Sequence, residues 1–219
     1  MSDFGVTLVC FAVPDEGRLF TGTPAATVFH TGVGDTPAAR ERLARVLASR
    51  APRLVVSAGY AGGLSPALGV GDLVLGENHS APAPLARARE LLAGERVHTG
   101  TLLTVPAAVE SARAKAALHL ATGALAVDME TAWIAEGCAA AGVPLLSLRV
   151  VSDAAGDDFP VPGAVLYDTA RQHPRYLALP LWLATHPGRI GPFARFVRGL
   201  GPARERLARA LRRVLTDGS

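Results

Sequence analysis

AVDMETAWIAEGCAAAGVPLLSLRVVSDAAGDD, from Ala126 to Asp158, is the stretch on which the fold turns. Asp128-Met129-Glu130 stands at the end of a short apolar strand, and a helical run follows to Ala141. Leu145 to Val151 is a continuous apolar segment of strand length, as expected for a strand covered on both faces. It delivers Ser152-Asp153 at its C-terminal end. Strand, helix, strand is the unit of a mostly parallel sheet with helices on both sides. Two successive strand ends each carry a carboxylate, Glu130 and Asp153, and Arg149 lies on the second strand. Carboxylates so placed belong at the ligand-binding mouth of an α/β sheet.

Working outward, the same alternation extends to the N-terminus. Val6 to Val13 reads as a buried strand ending in the acidic loop Pro14-Asp15-Glu16-Gly17. Ala26 to His30 is a second strand, followed by the tight loop Thr31-Gly32-Val33-Gly34. Asp35 or Thr36 caps a helix with Pro37 in its first turn, running to about Ser49. Leu54 to Ala58 is a third strand, entering the Gly-rich turn Gly59-Tyr60-Ala61-Gly62-Gly63. Further strands are expected at Asp72 to Leu75 and Val97 to Leu103, and helices at Leu85 to Leu92 and Ala107 to Leu118. The fold expected is a single-domain, three-layer α/β/α arrangement around a mixed, mostly parallel sheet.

Beyond Asp158 the texture changes. Six prolines between Pro160 and Pro192 cut the chain into short pieces. Phe193, Phe196, Val197 and Leu200 then have helical spacing, as do Leu207, Leu211, Val214 and Leu215, ringed by arginines. Residues 1–158 are read as the core and 159–219 as a helical, Arg-rich extension of the same domain. Of the +3 formal charge, the part from Asp168 onward holds ten arginines against three acids, so the basic character belongs to the tail. Such an amphipathic helix packs on the domain with a solvated basic face, or docks on an anionic membrane surface or an acidic partner. Nucleic acid is not an expected partner, because no aromatic platform accompanies the arginines.

Several chemistries are excluded by pattern. Gly32-Val33-Gly34 has Pro37 where a dinucleotide fingerprint needs its third Gly, and no Gly-rich loop leads to GK[ST]. The six histidines lie far apart in sequence without metal spacing, so neither metal nor organic cofactor is expected. Cys10 and Cys138 build no disulfide framework and read as reduced, buried thiols of a cytoplasmic protein. Asp3 stands where a signal peptide needs positive charge, and no apolar run is long enough to span a bilayer.

The remaining motifs fall at strand ends: Ala12-Val13-Pro14-Asp15-Glu16, then SAGYAGGLSPALGVGDLV from Ser57 to Val74, then VDME and RVVSDAA. In this order and spacing they resemble the purine nucleoside phosphorylase and 5′-methylthioadenosine/S-adenosylhomocysteine nucleosidase superfamily, over roughly residues 4 to 158. The resemblance implies cleavage of a purine nucleoside, adenine above all, with Asp153 as the acid that protonates the leaving base. Burial under an apolar pocket would raise its pKa for that task. Glu130 is implied as the ribose anchor, Glu16 as the base that activates water, and Arg149 as electrostatic support near both. Met129, Ser152, Ala61, Gly62, Tyr60 and Val33 are implied as substrate contacts. A homodimer is implied, because relatives close the 5′ pocket with a neighbouring subunit.

Two departures bear on the nucleophile. Ser57 stands where hexameric phosphorylases carry the arginine that grips phosphate, and Tyr60 where relatives commonly carry Ser. Both favour water, leaving Arg18 and Arg40 as the candidate phosphate contacts if phosphate is the nucleophile. Leu102, Leu103 and Thr104 fall where the nucleosidases pack an aromatic on adenine. The basic tail is similar to that of the hopanoid-associated phosphorylase-like branch, which implies a lipid-linked adenosine and work at a membrane surface. A nucleoside-binding protein without turnover is the reading from another class.

Overall fold

The structure is a computed structural model that describes residues 6–169 and 171–216; the reading of Asp3 lies outside them, as do residues 217–219 of the tail. Eight strands build the main sheet: β1 (Thr7–Phe11), β2 (Ala26–His30), β3 (Leu54–Gly63), β4 (Leu73–Gly76), β5 (Val97–Gly100), β6 (Leu102–Thr104), β7 (Ala126–Asp128) and β8 (Leu145–Asp153). Their order is β2-β1-β3-β8-β4-β5, with β7 on the far half of β3 and β6 on β7. The β4–β8 and β3–β7 pairs are antiparallel, and the other five are parallel. The sheet is therefore mixed and mostly parallel, as the alternation of elements implies.

The helices are α1 (Pro37–Arg50), α2 (Pro82–Leu91), α3 (Ala112–Thr122), α4 (Thr131–Ala140), the single turn α5 (Gly163–Leu166), α6 (Ala178–Thr185) and α7 (Ile190–Thr216). A two-stranded ribbon, β9 (Tyr167–Asp168) with β10 (His173–Pro174), lies between α5 and α6. Strand alternation sorts the core into two layers. Leu8, Cys10, Val55 and Leu145 pack on α1 and α4 through Leu43, Leu47, Trp133, Ile134 and Cys138. Val9, Phe11, Val56, Ala58, Leu146 and Leu148 face the other way, onto Ala88 of α2 and Leu207, Leu211 and Leu215 of α7. The C-terminal helix thus covers one face of the sheet. Both cysteines are free and buried.

Four expectations change. The stretch Gly59 to Gly63 is not a turn: β3 runs straight through it, paired with β8, with a bulge between Ala61 and Gly62. Val97 to Leu103 is split at Thr101 into β5 and β6, because the chain leaves β4 to pair with β7. The helix expected from Ala107 begins at Ala112, where Ser111 Oγ accepts the Ala114 N–H and caps it. The two apolar runs of the tail form the one helix α7, with Pro202 inside. Elsewhere local signals held: Thr36 Oγ1 accepts the Ala39 N–H at 3.1 Å, and Pro37 opens α1.

Candidate active site

β1, β3 and β8 run parallel, so their C-terminal ends share one edge of the sheet. β7 enters antiparallel beside β3, which sets Asp128–Glu130 next to Tyr60–Gly62. The loop after β1 turns back so that the buried Glu16 carboxylate caps three backbone N–H groups. Oε2 accepts from Ala12 at 2.8 Å and Val13 at 3.2 Å, and Oε1 accepts from Tyr60 at 3.0 Å. Burial raises the Glu16 pKa above the ordinary carboxylate value; Arg149 and these N–H groups oppose the shift without cancelling it.

Arg149 is 1% exposed and lies behind the cavity wall. Its Nη2 donates to Ser57 Oγ at 2.9 Å and Thr131 Oγ1 at 2.7 Å and pairs with Asp128 Oδ2 at 2.7 Å. Asp128 also accepts from Thr104 Oγ1 at 2.7 Å and from the Thr131 N–H at 3.1 Å. The carboxylate is spent on tying β7, β6, α4 and β8 together. Gly59 is the thin point between Arg149 and Glu16. A Cβ built there would stand 2.5 Å from Arg149 Nη1 and 2.7 Å from Glu16 Oε1.

Glu130, at the start of α4, accepts the Gly34 N–H at 2.8 Å. Burial first, then the Asp128 charge, pushes its pKa up to about 8. The neighbouring loop is held by Gln172, whose Oε1 accepts the Val33 N–H and whose Nε2 donates to the Val33 carbonyl, both at 2.8 Å. Asp153 closes the arrangement. Its Oδ1 accepts from Ser152 Oγ at 2.5 Å and its Oδ2 pairs with Lys115 Nζ. The acid therefore sits in a buried ion pair, and the apolar pocket expected around it is corrected accordingly.

These groups surround a cavity of about 190 Å³. Glu16, Val33, Tyr60, Ala61, Gly62, Met129, Glu130, Ser152 and Asp153 all line it, together with Asp128. Arg149 does not, and it acts on the cavity through Glu16 and Asp128. No lysine or arginine lines it among the described residues. Arg40 is held by Asp35 and Glu136, and Arg18 stands 67% exposed beside Asp15, so neither candidate phosphate contact reaches the cavity. Leu102, Leu103 and Thr104 are also absent from its wall: Leu102 is core, Leu103 packs in a satellite cluster, and Thr104 bonds Asp128. The aromatic side chains in the wall are Phe159 and Tyr60 instead. Val13, Val33, Met129 and Phe159 are shared with an outer cavity of about 650 Å³ toward Tyr167 and Arg175.

Three residues escaped the sequence reading. Gln172 and Phe159 fall outside any motif. Lys115 had a signal, being the only lysine among the 22 basic residues of the chain. The tail contributes too. Arg204 of α7 is buried, donates through Nε to Tyr60 Oη at 3.1 Å, and pairs with Asp15 beside Glu16. The solvated basic face expected of the tail is corrected at this residue.

A sequence model described as the phosphorylase superfamily matches residues 4–86 and 78–172, which is most of the chain. The chain belongs to the phosphorylase superfamily. Among curated members of this superfamily it is similar to futalosine hydrolase of Streptomyces coelicolor, 38% identical over 131 residues that cover 47% of this chain and 54% of the relative. It is also similar to the 5′-methylthioadenosine/S-adenosylhomocysteine nucleosidase of Mycobacterium bovis, 28% identical over 155 residues, 48% of this chain and 61% of that one. The matches thus span little more than half the length of these superfamily relatives. Futalosine hydrolase of Helicobacter pylori superposes with a TM-score of 0.71 at 15% identity, covering 99% of this chain and 100% of that one. The Neisseria meningitidis nucleosidase in complex with methylthio-immucillin-A gives 0.71 at 17%, covering 97% and 99%. At these identities the superpositions show a shared fold.

Proposed function

We propose that this member of the phosphorylase superfamily hydrolyses the N-glycosidic bond of a purine nucleoside, with adenine as the favoured base. The observation that carries the choice of water is the cavity lining, which holds four acidic side chains and, among the described residues, no lysine or arginine. Phosphate entering it would be buried with no cationic side chain to pair with. A ribose ring gaining positive charge, by contrast, finds its counter-charge among these acids. Ser57 supports the choice, since it is fully buried and bonded to Arg149, out of reach of the cavity.

In this reading Glu130 accepts hydrogen bonds from ribose hydroxyls and stabilises the cationic ring. Glu16, fixed by three N–H groups and made more basic by burial, takes a proton from the attacking water. As the bond breaks, its electron pair passes to the base, and Asp153 gives that base a proton. Met129, Val33, Tyr60, Ala61, Gly62 and Ser152 frame the nucleoside. Arg149 holds Asp128 and faces Glu16 across Gly59.

The assembly proposed is a homodimer, drawn from the family resemblance. The compartment proposed is the cytoplasm, on the strength of the two free thiols. No helix among the described residues is long and apolar enough to cross a membrane. A peripheral membrane contact is proposed for α6 and the start of α7. Tyr176, Leu177 and Leu181 are 70–86% exposed, and Arg175, Arg189, Arg195 and Arg198 flank them with no acid between Asp168 and Glu205. Co-sedimentation with anionic but not neutral vesicles, lost in Leu177→Asp/Leu181→Asp, checks it.

The deciding experiment is base release from a nucleoside panel, including a lipid-linked adenosine, with and without phosphate. Equal rates in both are expected. Strict phosphate dependence would replace hydrolysis by phosphorolysis, and binding without release would favour a sensor.

A further inference from the structure

Lys115 is not part of the cavity wall, yet its surroundings are specific. It lies on α3 with 0% exposure, the only lysine in a chain that otherwise uses arginine. A buried ammonium is costly unless every proton finds an acceptor. Here all three do: Asp153 Oδ2, Ala154 O at 2.9 Å and Asp157 O at 2.8 Å. No other acidic side chain is paired with it among the described residues. The cation thus binds two things at once, the carboxylate at the end of β8 and the loop that leaves it. An arginine would keep the charge but not the three contacts, because a planar fork does not match three converging oxygens around one nitrogen.

We propose that Lys115 is the positioning residue for the acid that protonates the leaving base. It acts through Asp153, fixing the carboxyl group at the cavity wall and stabilising the carboxylate left when the proton has gone. The proposal rests on the hydrolase reading above. In that reaction the glycosidic electron pair goes to the base; Asp153 takes a proton from solvent, passes it to the base, and returns to the ion pair with Lys115. The negative charge restored to Asp153 then lies against the Lys115 ammonium, which is fully buried. Ser152 Oγ, on the other oxygen, holds the carboxyl plane so that one face stays directed at the cavity. The contacts to Ala154 and Asp157 keep the following loop, and with it the approach to Phe159, in register with the acid.

The test uses Lys115→Met and Lys115→Arg in the full chain, with base release followed over pH. In Lys115→Met, kcat is expected to fall 10- to 100-fold with KM within about threefold. The alkaline limb of the kcat profile should move to higher pH, because the proton is held more tightly without the cation. Lys115→Arg keeps the charge and should retain the limb while losing part of kcat. A purely structural lysine would lower the amount of folded protein and leave the limb where it was, and that result overturns the proposal. So does a loss confined to KM.

Should Lys115→Met fail to fold, the wild-type chain answers. Lysine labelled with 13C at Cε gives a single side-chain resonance. Adenine should shift it, and should shift it less in Asp153→Asn. A resonance indifferent to bound adenine overturns the proposal. If wild-type protein neither binds adenine nor releases a base from any nucleoside, it is the hydrolase reading that fails, and the proposal with it.

Discussion

Replacing Gly59 by alanine tests how the site is held together. The residue has φ +154°, a conformation that side-chain-bearing residues rarely adopt. Its Cβ would stand 2.5 Å from Arg149 Nη1 and 2.7 Å from Glu16 Oε1, against ordinary contacts beyond 3.4 Å. Neither neighbour is a loose end. Arg149 is fixed by Asp128, Ser57 and Thr131, and Glu16 by three backbone N–H groups. Relief therefore needs a displacement of roughly 1 Å shared between two clamped groups, which is enough to cost about 100-fold in turnover. Backbone strain of about 1–3 kcal/mol and overpacking of about 1–3 kcal/mol give an expected destabilisation of about 2–6 kcal/mol. Gly123→Ala is the control, with φ +68° but nothing within 4 Å of its Cβ, so it carries the backbone part alone. Urea unfolding measures stability and chromatographic base release measures turnover. A Gly59→Ala protein no less stable than the control, with turnover within about threefold of wild type, would refute the reasoning.

Glu16→Gln should lower kcat by about 10²–10⁴ with KM nearly unchanged, as for loss of a general base, measured as base release at fixed pH. Glu16 and Glu130 both have folded pKa values raised above the unfolded ones. Their contribution to stability is therefore complete below about pH 4.5 and is lost as pH rises through their folded values, near 8 for Glu130. Urea unfolding of the unliganded protein should show stability falling between pH 5.5 and 8, by up to about 1.4 kcal/mol per pH unit for each proton, and Glu130→Gln should flatten that slope. Arg204→Leu removes the bonds to Tyr60 and Asp15 without stranding a buried charge, since Asp15 is half exposed. It should cost about 1–2 kcal/mol and reduce turnover by less than about tenfold, checked by the same two assays.

The strand ends were legible because each carries its own local mark. Val6–Val13 and Leu145–Val151 are apolar runs bounded by acidic loops, and Thr36-Pro37 announces a helix. The nine cavity-lining residues named from the motifs met in one cavity because parallel strands bring their C-terminal ends to one edge. What stayed hidden has no local signature. The Gly59–Gly63 segment reads as a turn from composition, yet β8 on one flank and β7 on the other hold it extended. Lys115 sits in an ordinary helical run, and its meaning comes from a partner 38 positions away. Arg204 looks like one of many solvated arginines until Tyr60 and Asp15 are seen against it.

That last contact has a consequence for how the protein is made. Asp15 and Glu16 leave the ribosome well before Arg204 and the apolar face of α7. Until α7 emerges, Val9, Val56 and Leu148 have only the α2 part of their cover on that side of the sheet, and the loop bearing Glu16 lacks its anchor. Folding from the N-terminus during synthesis can assemble the strands, but the corner around Glu16 is completed only after α7 is free to dock. A nascent chain stalled before Arg204 should be a sheet with one open apolar face, a natural client for chaperones, and should lack the finished geometry around Glu16.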